Sequence, residues 1–238
     1  MKIIECEQGS SEWLKARCGI PTASMASVIV TPTGKPVTGG TRRRYARELV
    51  GERLTGSSAA HYVSAAMVRG SELERLGRAW YQLATGEVVV QVGFITTNDG
   101  LCGCSPDGVT NAGGIEIKCP LRPAYMEMLD TGEIDPRYIL QMQFCMYVTA
   151  RPWWDFVLYT DEPGLPNVVW RVKRDARITD ALPDIVKSFC DDVAEIEARI
   201  RRNASILPPR EPWTAPPKPA GDAQAGGAAV LEKLEGGA

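Results

Sequence analysis

Apolar positions change their spacing along the chain, and each change marks a change of element. Near the start, Ser10 or Ser11 stands where a helix cap belongs, ahead of a short helical stretch through Ala16 that Gly19 closes. A second short helix starts at Thr22-Ala23-Ser24-Met25-Ala26-Ser27, just after Pro21. Thr31 to Gly40, rich in Gly, Pro and Thr, predicts a mobile loop. From Thr41 to Leu54, Tyr45, Leu49 and Val50 recur at helical spacing opposite a run of arginines. Ala65 to Thr85 reads as one long helix or two abutting ones. Its inward stripe is expected at Leu73, Leu76, Trp80 and Leu83, and Gly86 is its stop.

The period then shortens. Val88–Val92, Phe94–Thr96, Leu101–Ser105 and Gly114–Cys119 read as strands. Asn98-Asp99-Gly100 and Asn111-Ala112-Gly113-Gly114 carry the turn chemistry to fold them into a meander. Pro136 opens a helix through about Thr149, Trp153–Tyr159 and Val168–Lys173 form a closing strand pair, and Asp180–Asn203 is an amphipathic helix. From about Leu207 the chain is rich in Pro, Ala and Gly. The expected organisation is a domain over residues 1–206 and a flexible tail over 207–238. The order of elements predicts an α/β (α+β) domain, a mixed central β-sheet flanked by helices.

Composition narrows the function classes. No apolar run reaches the length of about 18 residues needed to span a membrane. The opening Met1-Lys2-Ile3-Ile4-Glu5-Cys6-Glu7 is too short and acidic for a secretory signal, so a cytoplasmic location is expected. Seven cysteines without framework spacing read as reduced thiols. A net charge of −2 does not advertise a nucleic-acid binder, but arginines cluster at Arg42, Arg43, Arg44, Arg47 and Arg53 and again at Arg199, Arg201 and Arg202. Each cluster fits either a polyanion contact or a solvated helix face. His61, the only histidine, excludes a multi-histidine zinc site, and nothing beside it resembles a nucleophile triad. Hydrolytic chemistry here must rest on carboxylates, lysine and an oxygen-bound metal.

The residues for such chemistry are concentrated in one stretch. Ser105-Pro106-Asp107-Gly108 is followed, across eight intervening residues after Asp107, by Glu116-Ile117-Lys118. On a strand, Glu116 and Lys118 share a face while Ile117 points the other way. Asp107, Glu116 and the Ile117 backbone carbonyl offer three hard oxygens of the kind Mg²⁺ takes. Lys118 can orient an attacking water, and a second ion about 3.5–4 Å away can stabilise the leaving oxygen. A turn followed by a surface Glu–Lys pair fits the same spacing. Glu72 or Glu74 on the long helix can complete the metal shell or sit on a solvated face. Gln141, inside an apolar helix, can hold a water or a phosphate oxygen, or lie at the helix edge. Arg17 and Ser24, on the first two helical pieces, fit a phosphate pocket. Cys102, Cys104 and Cys119 allow a zinc or iron–sulfur alternative without an evident fourth ligand, or plain buried thiols.

Taken in order, these residues resemble a known family. Glu7-Gln8-Gly9-Ser10 with Trp13, Arg17-Cys18-Gly19-Ile20-Pro21-Thr22-Ala23-Ser24, Gly70 to Glu74, Cys104 to Gly108, Gly114 to Pro120 and Gln141-Met142-Gln143 together resemble the phage lambda exonuclease and YqaJ-type viral recombinase family, within the PD-(D/E)XK nuclease superfamily. The resemblance spans roughly residues 5 to 160 and favours the metal reading of Asp107, Glu116 and Lys118. It implies a processive, Mg²⁺-dependent 5′→3′ exonuclease, with Mn²⁺ as a substitute ion. Such an enzyme acts on double-stranded DNA ends and leaves 3′ single strands for recombination. By the same resemblance Asp107 and Glu116 are metal ligands and Lys118 orients the nucleophile. Glu74 takes the place of the helical acidic residue, Gln141 that of the core glutamine, and Arg17 and Ser24 bind the 5′-phosphate. A trimeric ring and a single-strand annealing protein as partner are the family's assemblies. An endonuclease or nickase on the same core, and a DNA-end-binding recombination protein without turnover, are the competing functions.

Overall fold

The structure is a computed structural model that describes residues 1–58 and 65–204. His61 and the stretch 207–238 lie outside the described residues. The chain divides into two units, Met1–Arg201 and Arg202–Ala238, and both sheets belong to the first. Among the described residues no helix is long and apolar enough to cross a membrane.

The first unit is a mixed α+β fold with two small sheets. One has the order β1 (Lys2–Ile4), β2 (Phe94–Thr96), β3 (Gly103–Cys104), all antiparallel. The other has the order β4 (Gly108–Val109), β5 (Gly114–Lys118), β6 (Trp153–Leu158), β7 (Val168–Lys173). In it β5 and β6 run parallel and the other pairs antiparallel. The expected meander is therefore split. β2 pairs with β3 and β4 with β5, but Pro106, which has no backbone N–H to donate, stands in the break between β3 and β4.

The helices surround this frame. They are α1 (Ser11–Arg17), a 3₁₀ turn (Ala23–Val28), α2 (Gly40–Thr55), α3 (Ala65–Thr85), α4 (Arg122–Thr131), α5 (Pro136–Thr149), α6 (Ala176–Thr179) and α7 (Leu182–Ala204). Ser10 caps α1, accepting from the Trp13 amide at 3.2 Å. Asp135 caps α5 in the same way through the Arg137 amide at 2.8 Å, one residue before Pro136.

The alternation along β5 and β6 sets two faces. Trp154, Phe156 and Leu158 join the larger core, with Leu140, Phe144 and Val148 of α5 and Val186, Phe189 and Val193 of α7. Ile115, Ile117 and Val157 face the other way and form a smaller cluster with Tyr81 of α3. The register pairs Glu116 with Phe156 and Ile117 with Val157, so Glu116 lies on the α5 side and Ile117 on the α3 side.

Four expectations change. The Val88–Val92 run is not a strand; it contributes a single bridge, Val90 to Val109, and Val88 and Val90 stay exposed. Of the expected inner stripe of α3, Leu73 is buried and Trp80 packs against the smaller cluster, but Leu83 is 87% exposed and Leu76 also faces solvent, and Gly77, Arg78 and Tyr81 are buried in their place. The physical reason is close approach: a Cβ at Gly77 would come within 2.9 Å of the Ile117 side chain, so α3 turns its smallest residue to the sheet. Thr31–Gly40 is a hydrogen-bonded hairpin and not a loose loop, with Thr31 and Val37 amides donating to Lys35 and Ile29 carbonyls at 2.8 Å each. Gly34, at φ +73°, lies against the Arg177 carbonyl where no side chain fits. Finally, β1 and α4 were not expected from the pattern of residues. β1 is three residues long, and α4 buries only Tyr125, so neither leaves a periodic signal.

Candidate active site

Asp107 sits between β3 and β4, where Gly108 starts the short β4. Its Oδ2 accepts from the Ile117 amide at 2.6 Å, which pins the turn to the end of β5. In an extended strand a residue's N–H and C=O face the same neighbour, so the Ile117 carbonyl also looks toward Asp107. Asp107 and Glu116 therefore lie on adjoining segments, joined through the Ile117 amide.

Glu116 is the centre of the cluster and only 1% exposed. Lys118 Nζ lies 2.5 Å from its Oε1, and Gln141 Nε2 donates to the same oxygen at 2.7 Å. Its other oxygen, Oε2, is buried without a hydrogen-bond partner. Lys118 Nζ is also 4.9 Å from the centre of the Tyr138 ring. Glu74, on α3, is held by Arg78 Nη2 at 2.6 Å, whereas Glu72 is on the exposed side of the same helix and joins nothing here.

The electrostatics follow from crowding. Burial, then the charges of Glu116 and Glu74, push the Asp107 carboxyl well above its ordinary range. Burial raises Glu74 too; Arg78 pulls it down and Glu116 pushes it up. Burial works against the Lys118 ammonium, but Glu116 and Asp107 outweigh it and hold its pKa above the usual lysine value. Three acids, Asp107, Glu116 and Glu74, stand against two cations, Lys118 on Glu116 and Arg78 on Glu74, which leaves the cluster one positive charge short.

Does this donor set suit a divalent cation? The unpartnered Glu116 Oε2 is a vacant hard-oxygen ligand in a buried position, where an unsatisfied polar atom ordinarily costs about 1–3 kcal/mol. Among the described residues no three His, Cys, Asp or Glu side chains gather closely enough to hold a metal ion by themselves. Mg²⁺ does not need three, since it keeps several waters and uses one or two carboxylates. The donors fit a hard cation. The cysteines do not offer a rival site. Cys102 and Cys104 are buried in the larger core and Cys119 packs with the smaller cluster on the opposite face, so the three thiols do not converge.

Residues 12–152 match the model of the YqaJ-like viral recombinase domain, more than half of the chain. The chain belongs to this family. The alkaline exonuclease LHK-Exo of Laribacter hongkongensis is 37% identical, with a TM-score of 0.73 over 82% of this chain and 98% of that one. Its complex with dAMP matches at 37% identity and a TM-score of 0.74, with the same coverage of both chains. A phage-related exonuclease from Haemophilus somnus 129PT, 16% identical with a TM-score of 0.55 over 76% of this chain and 96% of that one, shares the fold. No curated protein matches. The fold is that of the PD-(D/E)XK class.

In this YqaJ-family chain a pocket of about 130 Å³ is lined by Gln141, the residue that also holds Glu116. Arg17 and Ser24, the pair expected to bind phosphate, both line it, with Gln8, Trp13, Ser105 and Gln141. Arg17 lies over the Trp13 ring at 4.2 Å, and Trp13 Nε1 donates to Ser105 Oγ at 2.8 Å. Gln8 Nε2 donates to the Pro106 carbonyl at 2.9 Å. Gln141 reaches both the pocket and Glu116. The basic clusters divide: Arg42 pairs with Asp192 and Arg53 donates to the Gly19 carbonyl at 2.7 Å, while Arg43, Arg44 and Arg47 remain exposed.

Sequence reasoning missed Arg78 and Tyr138. A lone arginine on a helix and a tyrosine near a helix start carry no local mark; their partners, Asp107 and Lys118, lie 29 and 20 positions away.

Proposed function

We propose that this protein is a divalent-metal-dependent exonuclease that degrades one strand of double-stranded DNA from its 5′ end and leaves a 3′ single strand for recombination. The observation that carries the reading is Glu116, with one oxygen fixed by Lys118 and Gln141 and the other buried and open beside Asp107. Family membership and the 37% identity to an alkaline exonuclease support the class of reaction.

In this reading Asp107, Glu116 and the Ile117 carbonyl would hold a divalent cation, Mg²⁺ or Mn²⁺, and Glu74 would contribute a further oxygen, with a second ion expected. When bound, such an ion supplies positive charge to the phosphodiester and makes water more acidic. Lys118 orients the attacking water and faces the charge that builds on the phosphate oxygens. The water oxygen attacks phosphorus, the P–O3′ bond breaks, and the 3′ oxygen leaves with a proton. Arg17 and Ser24 hold the terminal 5′-phosphate, and that distance fixes the bond to be cut. The shortened strand carries a new 5′-phosphate, which suits the same pocket. Assembly into a trimeric ring would keep the enzyme on its track, and an annealing protein would receive the exposed strand.

The test is a linear duplex labelled at one end and digested with Mg²⁺. Mononucleotides released from the 5′ end, with covalently closed circles left intact, are expected. Nicked circles would point instead to an endonuclease on the same core. Full activity in Lys118→Ala would remove the assignment.

A further inference from the structure

Arg78 is 8% exposed, on the face of α3 that meets the sheet. A guanidinium is rarely buried unless each of its donors is used. Arg78 Nε donates to the Asp107 backbone carbonyl at 2.7 Å, and Nη2 donates to Glu74 Oε1 at 2.6 Å. With its amide oxygen turned inward, Gln91 accepts from Nη1 at 2.9 Å and from Nη2 at 3.2 Å. One side chain thus ties together α3, the turn that carries Asp107, and the segment before β2.

We propose that Arg78 is a positioning residue for the cation site: its planar fork sets Asp107 against Glu74 and keeps both acids in place when no cation is present. The inference rests on the metal role of Asp107 and Glu116 proposed above. Two features separate it from ordinary packing. First, its contacts run to the main chain of one acid and the side chain of another, the two acids that the Glu116 charge acts on. Second, Asp107 itself is held from both ends, its carboxylate by the Ile117 amide and its carbonyl by Arg78, so losing the fork removes the hold on its main chain and leaves only the carboxylate fixed. Lysine keeps the charge but, as a point donor, cannot span the carbonyl and the carboxylate together.

The experiment titrates Mn²⁺ calorimetrically into the full chain without DNA, comparing wild type, Arg78→Lys, Gln91→Met and Glu116→Gln. Support for a ligand is worth about 10–100-fold in metal affinity, so Arg78→Lys is expected to bind Mn²⁺ at least about tenfold more weakly. The Mg²⁺ concentration for half-maximal digestion should rise in step, and the rate at saturating metal should return toward wild type. A merely structural arginine would lower the unfolding temperature and leave both midpoints unmoved. That result overturns the proposal. If Arg78→Lys does not fold, Gln91→Met decides, because Gln91 is exposed; a smaller shift in the same direction is expected, and an unchanged midpoint overturns the proposal. Glu116→Gln separates the two readings. If it loses Mn²⁺ while the Arg78 variant does not, only the positioning role falls. If it binds Mn²⁺ like wild type, the cation site itself is wrong and this inference falls with it.

Discussion

Glu116 and Asp155 stand on neighbouring strands at 1% and 2% exposure, yet their surroundings differ. Asp155 faces α3 and is fully partnered. Its Oδ2 accepts from the Tyr81 hydroxyl at 2.8 Å and from Arg171 Nη2 at 2.9 Å, and its Oδ1 accepts from Arg171 Nε at 2.8 Å. Glu116 faces α5 with both of its partners on one oxygen and none on the other. Burial alone does not mark a working acid, since both are buried. What separates them is unspent hydrogen-bonding capacity in the company of other acids. Asp155 fastens β6, β7 and α3 together, while Glu116 keeps one buried oxygen without a protein partner.

The sharpest way to break this contrast is kinetic. Lys118→Ala, which strips Glu116 of its cation, is expected to lower Mg²⁺-dependent digestion of linear duplex by about a thousandfold while circular dichroism stays unchanged. A surviving rate would make the Glu116 cluster as structural as the Asp155 one. Metal addition comes next. At about a hundred times its dissociation constant, Mg²⁺ should raise the unfolding free energy by about 3 kcal/mol, measured by urea titration against an EDTA control. Glu116→Gln should lose that gain and Asp155→Ala should keep it. Asp155→Ala itself leaves the Tyr81 hydroxyl buried and unpaired, at a cost of about 2 kcal/mol in the same titration, with the digestion rate of the folded protein unaltered. The smallest effect is expected at the pocket's far wall. Arg17→Ala should cut the preference for 5′-phosphorylated over 5′-hydroxyl ends by about tenfold, read from initial rates on the two duplexes.

The parts of the site that share one strand were legible in the chain. The alternation Glu116-Ile117-Lys118 gave the facing directions, and Pro136 placed the helix that brings Gln141 to Glu116. The bounds of α3 were readable too, but its orientation was not. A leucine count turns Leu76 and Leu83 inward, whereas contact with Ile117 demanded Gly77 and the Asp107 carbonyl demanded Arg78. These are tertiary requirements, set by residues at least 29 positions away, and no local period encodes them. Val88–Val92 failed for the same reason in reverse: the β-branched run has strand propensity but only Val109 to pair with.

Gln141 belongs to two compartments at once, lining the pocket of Arg17 and Ser24 while its amide grips Glu116. On the proposed roles, seating of a strand terminus and the set of Glu116 are therefore not independent variables. An engineer who widens that pocket to admit blocked or modified termini will disturb the acid through the same amide. Substrate range and turnover in this scaffold have to be re-optimised as a pair.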